Sequence, residues 1–242
     1  MQENLRAIVL RVTPYTDNSS IVRLYSREYG LVSCMAGNLH KRGSGLRSSF
    51  LHPLSLLDMV VGSKQKGMFR IQEAIPVLPL HSMVSDPLKS AVCMFLAEVL
   101  NHTYIESQPD PNQFEYVENA LKFLELSETC PPDFHIIFLW KLSRILGICP
   151  RNNFHNEEAP KFDLVNGCFV SNGVYGQEIC PLPLSALVSN ALDSDFSASV
   201  GISGSLKLRR ELLDLTIQYF TYHLGWKHEI KSHIVLQEVF QD

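Results

Sequence analysis

Arg6-Ala7-Ile8-Val9-Leu10-Arg11-Val12 is the first of five short runs rich in apolar and β-branched residues. The others occupy residues 20–26, 31–36, 54–61 and 68–74, each bounded by turn formers, and the pattern predicts five strands. Residues 14–19 are dense in side chains that bond their own backbone, and Gly62-Ser63-Lys64-Gln65-Lys66-Gly67 reads as a polar hairpin loop. Five such strands must pair or hide their edges, and closure into a small OB-type barrel over residues 1–80 does so.

Between the third and fourth runs lies Asn38-Leu39-His40-Lys41-Arg42-Gly43-Ser44-Gly45-Leu46-Arg47-Ser48-Ser49, a glycine-containing cationic loop too polar to be core. Residues 1–80 hold ten Lys and Arg against five Asp and Glu, whereas the remainder holds 11 against 20, and the whole chain carries −4. The only net-basic segment is therefore the predicted barrel. Such asymmetry points toward a polyanion or simply a solvated surface.

With 242 residues, 45% of them hydrophobic and 19% charged, the chain can bury one large core or two smaller ones. The N-terminus lacks a secretory pattern and no apolar run reaches about 18 residues, so the cytoplasm is the expected compartment and no membrane partner is expected. Six cysteines occur without any C-x-x-C, which predicts free thiols and neither a metal site nor another cofactor.

From Asp86 the period changes to that of helices. Asp86-Pro87 and Asp110-Pro111 each place a capping carboxylate before a proline at the first helical position. A third helix runs through Phe134 and Ile145 until Gly147 can cap it. Residues 148–181 break this pattern, and Asn166-Gly167 between two short extended runs predicts a β-ribbon with a type I′ turn. Helices are predicted again over residues 181–192 and 205–224, with a short one in 230–240. The expected fold is thus α+β and multidomain: a five-stranded OB-fold barrel, then an α-helical domain over 81–242 with a small β-ribbon insertion.

The order of local words along the chain resembles the RecO recombination-mediator family. The words are Ala7-Ile8-Val9-Leu10-Arg11 with Pro14-Tyr15, Leu24-Tyr25-Ser26-Arg27-Glu28-Tyr29-Gly30, the basic loop through Arg47, and Leu51-His52-Pro53-Leu54-Ser55-Leu56-Leu57. Leu146-Gly147, Phe162-Asp163 and Tyr222-His223-Leu224 follow in sequence. The resemblance implies an OB domain joined to a helical domain with a zinc-ribbon-like insertion. It further implies binding of single- and double-stranded DNA, strand annealing, and engagement of single-strand-binding protein. With the partner RecR, such a protein helps load RecA. Many members carry two C-x-x-C pairs in the insertion. Here the corresponding stretches read Asn152-Asn153-Phe154-His155 and Gly167-Cys168-Phe169-Val170-Ser171, which supply no tetrahedral ligand set.

For phosphate contact the candidates are Lys41, Arg42 and Arg47, extended by Arg11, Arg23, Lys64, Lys66 and Arg70 where strand alternation turns them outward. Tyr15, Tyr25, Tyr29 and Phe69 are either stacking platforms for bases or barrel core. A late basic group, Lys207, Arg209, Arg210, Lys227 and Lys231, fits a second DNA contact, a dock for the acidic tail of single-strand-binding protein, or plain helix surface. No nucleotide-binding glycine loop, G-x-S-x-G or H-E-x-x-H is present, so a non-enzymatic role is expected. The rival readings are an RNA-binding or translation-linked OB protein and a scaffold.

Overall fold

The computed structural model describes residues 2–37, 47–65, 67–104, 108–176, 178–196, 202 and 204–240. In chain order the elements are β1 (Gln2–Thr16), β2 (Ser19–Ser26), β3 (Gly30–Gly37), a 3-10 turn (Ser48–Phe50), β4 (Leu56–Gln65), β5 (Met68–Pro76), α1 (Ser82–Ser85), α2 (Pro87–Thr103) and α3 (Pro111–Leu126). Then come α4 (Phe134–Ile145), β6 (Lys161–Asp163), β7 (Cys168–Val170), β8 (Ile179–Cys180), α5 (Leu184–Asp193), α6 (Leu206–Leu224) and α7 (Ser232–Val239). They divide into two compact units, Met1–Glu128 with Ile230–Phe240, and Thr129–Glu229.

In the first unit the strands close in the order β1-β2-β3-β5-β4. Four of the pairings are antiparallel, and the parallel pairs Cys34↔Phe69 and Met35↔Arg70 close the barrel. This is the expected OB barrel. Leu5, Ala7, Val9, Val22, Leu24, Cys34, Phe69 and Ile71 fill its interior. Ile8 and Tyr25 point the other way and are equally buried, because α2 packs on β1 and Tyr25 stacks on Tyr104 at 4.1 Å between ring centroids. Burial on both faces explains why Ala7–Leu10 reads as an unbroken apolar run rather than an alternation.

The helices around the barrel are pinned at their ends. Asp86 accepts from Leu88 N at 2.8 Å and Asp110 from Asn112 N at 2.9 Å, each before its proline, as the sequence predicts. The Glu125 carboxylate accepts three N–H bonds, from His81, Ser82 and Met83, at 2.8–2.9 Å, neutralising the positive end of α1. In the reverse sense, the fully buried Lys89 ammonium donates to the Ser127 carbonyl that ends α3 and to Ser82 Oγ. Glu98 on α2 holds α7 through the N–H groups of Lys231 and Ser232. The barrel and the helices predicted to form a separate domain from residue 81 therefore share one packed unit up to Glu128.

The second unit is built on α4, α5 and α6 around Trp140, Phe138 and Phe220, with the small sheet β7-β6-β8 added. Phe162 of the sheet packs against Trp140, Phe169 and Tyr219 with ring centroids 5.2–6.4 Å apart.

Three local expectations change. The Asn166-Gly167 connection is not a type I′ turn, since Asn166 keeps a negative φ: the Asp163 carboxylate accepts from both its backbone and its side chain. Gly167 alone is left-handed, at φ +59°, and a Cβ there would lie 2.8 Å from the Tyr219 hydroxyl. The fourth strand starts at Leu56 rather than 54 because Leu54 adopts φ +63°, which costs about 1–2 kcal/mol. Its complete burial, worth about 1.5–3 kcal/mol, outweighs that cost. Finally, residues 62–65 remain in β4, which turns tightly through Gly67 at φ +83° to pair Gln65 with Met68.

A buried neutral histidine in the second unit and two carboxylates in the first set a pH dependence. His135 is enclosed, and burial together with nearby Arg209 pushes its pKa down to about 3. The folded state therefore resists protonation that the unfolded chain accepts near pH 6.5, so stability is full above that value and declines between about 6.5 and 3. For Glu98 and Glu125 burial acts upward, but the hydrogen bonds they accept outweigh it and hold both below the ordinary carboxylate value. Their contribution is lost only below about pH 4.3. The urea midpoint should fall between pH 7 and pH 5 in the native chain and stay flat over that range in His135→Gln.

Candidate nucleic-acid interface

A single bulge decides what the open face of the barrel carries. In β1, Leu5, Ala7 and Val9 face inward, and strict alternation would send Arg11 into the core. The pairing with β2 steps from Val9↔Leu24 to Arg11↔Arg23, leaving Leu10 as an extra residue. Beyond it Val12 packs on the core and Arg11 turns outward, directly opposite Arg23. Like charges so paired are unfavourable by a few tenths to about 1 kcal/mol. The Nε of Arg23 is shielded from solvent with no hydrogen-bond partner among the described residues.

From Arg23 the register leads across the wall. Arg23 pairs with Ser33, Met35 lies two residues along on the same face, and Met35 pairs with Arg70. Arg11, Arg23 and Arg70 therefore project from one outer surface spanning β1, β2, β3 and β5, about 15 Å across at the usual strand spacing. None of them forms an ion pair among the described residues. The Arg70 guanidinium reaches the end of β3, 3.9 Å from where a Gly37 Cβ would stand. That is where the cationic loop departs; Lys41 and Arg42 lie outside the described residues, as does Lys66. Arg47, at the loop's far end, rests its guanidinium 5.9 Å from the Phe50 ring centroid.

Arg6 has a different environment. Its guanidinium is bound bidentately by Asp58 and lies 3.6 Å from Glu118, which raises its pKa and neutralises that side of the barrel. Lys64 is engaged elsewhere: its ammonium sits over Phe69 and Tyr29, 4.8 and 5.5 Å from the ring centroids. Of the aromatic candidates, Tyr25 and Phe69 are core, whereas Tyr15 is 63% and Tyr29 40% exposed. The late basic group is partly engaged in ion pairs and divided between the units. Lys207 pairs with Glu211, Arg209 lies 3.9 Å from the buried Asp133, and Lys231 belongs to the first unit while the others belong to the second.

Sequence reasoning passes over one feature beside Arg47. A cleft of about 340 Å³ is lined by Phe50, His52, Leu56, Pro76, Leu78, Pro79, Leu80, His81 and Val84. Its signal was the run Val77-Leu78-Pro79-Leu80, apolar yet broken by proline, which suits neither strand nor helix and leaves side chains at the surface.

Two successive segments of the chain match family descriptions, Recombination protein O N terminal over residues 1–79 and Recombination protein O C terminal over residues 84–232. The chain belongs to the recombination protein O family. Curated relatives of the family include DNA repair protein RecO of Azobacteroides pseudotrichonymphae, 32% identical over 97% of this chain and 98% of that protein. Those of Phocaeicola vulgatus and Flavobacterium psychrophilum are 29% and 28% identical, each over 99% of this chain and 100% of the relative.

The zinc ribbon implied by resemblance to other RecO proteins does not fit the residues here. Asn153 bridges β7 with its amide, donating to the Phe169 carbonyl and accepting from the Phe169 N–H, both at 2.9 Å. Asn152 donates to Asp193 and accepts from Ser189 Oγ, again at 2.9 Å. No group of three or more His, Cys, Asp or Glu among the described residues is placed to hold a metal ion. Asn153 thus secures the ribbon of this RecO family member, and Asn152 ties the stretch before it to α5. Asn153→Ala should cost about 1–3 kcal/mol in urea unfolding, while a strong chelator should leave the native midpoint unmoved; a chelator-induced drop would contradict this assignment.

Proposed function

We propose that the chain acts in DNA repair and recombination as a binding and annealing protein for single- and double-stranded DNA. Its partners in this reading are RecR and single-strand-binding protein, with RecA loaded downstream on the coated strand. The observation that carries the reading is the row Arg11, Arg23 and Arg70, without ion-pair partners among the described residues, assembled on one barrel face by the Leu10 bulge and leading to the root of the cationic loop. Membership of the recombination protein O family supports it.

Phosphate neutralisation explains how such a surface would work. Each Lys or Arg that meets a phosphate releases condensed counterions, which gives affinity without base recognition. Two strands neutralised side by side can then pair by their own complementarity, a task that needs no covalent chemistry. In this reading Arg47 is a further phosphate contact, as are Lys41 and Arg42, which lie outside the described residues; Lys64, occupied by two rings, does not belong to the row.

Replacing Arg11, Arg23 and Arg70 together by alanine should lower the slope of log affinity against log salt for single strands by about 2, at roughly 0.7 for each phosphate no longer neutralised. An unchanged slope would remove the arginine row from the interface. Competition between matched DNA and RNA strands separates the rival: a clear preference for RNA would favour an RNA-binding protein.

A further inference from the structure

We infer that the cleft beside Arg47 receives one unpaired nucleobase of a bound single strand, so that the barrel end distinguishes single strands from duplex. This rests on the DNA reading above and adds a site to it. The walls are apolar, from Phe50, Pro76, Leu78, Leu80 and Val84, and at about 340 Å³ the cleft lies near the small end of the roughly 300–1,000 Å³ usual for small-molecule pockets. That is room for one flat heterocycle and too little for a base pair still joined to its neighbours.

Charge identifies the occupant. His52 and His81 are the titratable side chains in the lining, and the Arg47 guanidinium stands over the Phe50 ring. The nearby Glu125 carboxylate is turned onto the backbone N–H groups of His81, Ser82 and Met83, whose dipoles partly offset its charge. One guanidinium at the Phe50 ring, beside apolar walls, suits a ligand whose charge and flat apolar face alternate at short intervals. A single nucleic-acid strand has that chemistry, with the phosphate on Arg47 and the base against Phe50. Duplex presents the phosphates but keeps its bases stacked, and would gain only the former.

Phe50 also packs against the barrel core, so its removal risks the fold. Val84 is 45% exposed on the cleft edge, and Val84→Trp fills the space without altering charge. The test uses the full chain and a single strand carrying one 2-aminopurine, with a matched duplex as control. The native protein should raise 2-aminopurine fluorescence as the base leaves its neighbours. Val84→Trp should abolish that rise and weaken single-strand binding by about tenfold, with duplex affinity unchanged. Binding without a fluorescence rise, or an equal loss on single strand and duplex, would overturn the cleft assignment while leaving the arginine surface intact. Displacement of the strand only by an acidic peptide, with no base signal, would likewise overturn it and indicate a protein tail as occupant. Failure of the native chain to bind either DNA would instead defeat the underlying reading.

Discussion

The extra residue at Leu10 is the constraint on which the arginine surface depends. A strand repeats every two residues, so a one-residue slip exchanges the two faces of everything beyond it. Up to Val9 the alternation fills the barrel; after Leu10 it places Arg11 beside Arg23 and returns Val12 to the core. Without the bulge a guanidinium would enter an apolar interior, at a cost no partner there could offset. The parallel closure of β3 on β5 does the complementary work, because Met35↔Arg70 sets the third arginine in line with the first two.

The same wall is divided between packing and charge. Where α2 covers it, Ile8 and Tyr25 are buried, and Arg6 is neutralised by Asp58 and Glu118. Where no helix packs, the outward positions carry Arg11, Arg23 and Arg70 without ion-pair partners among the described residues. Opposed like charges and an enclosed Nε without a partner among the described residues are unfavourable in isolation and become favourable when an anion arrives.

Much of this was legible in the sequence. Alternating apolar runs gave five strands, and the two Asp-Pro pairs gave two helix starts to the residue, because capping chemistry is local. What failed was decided by distant partners. The Asn-Gly pair promised a tight primed turn, yet Asp163 held Asn166 in another conformation; Leu54 looked like strand and was turned left-handed by the burial of its own side chain. Tyr25 and Phe69 could not be told from exposed stacking residues until closure put Phe69 inside and the helical segment covered Tyr25 from without. The basic character of the barrel was countable, but which arginines share a face was hidden, since a bulge leaves no mark in composition.

Amide hydrogen exchange of the full chain with and without a saturating single strand tests the central claim most directly. New protection is expected on β1 beyond Leu10, on β2, β3 and the start of β5, and around Phe50. Protection confined to β4 opposite Arg6, or to α6, with none on those strands, would contradict it.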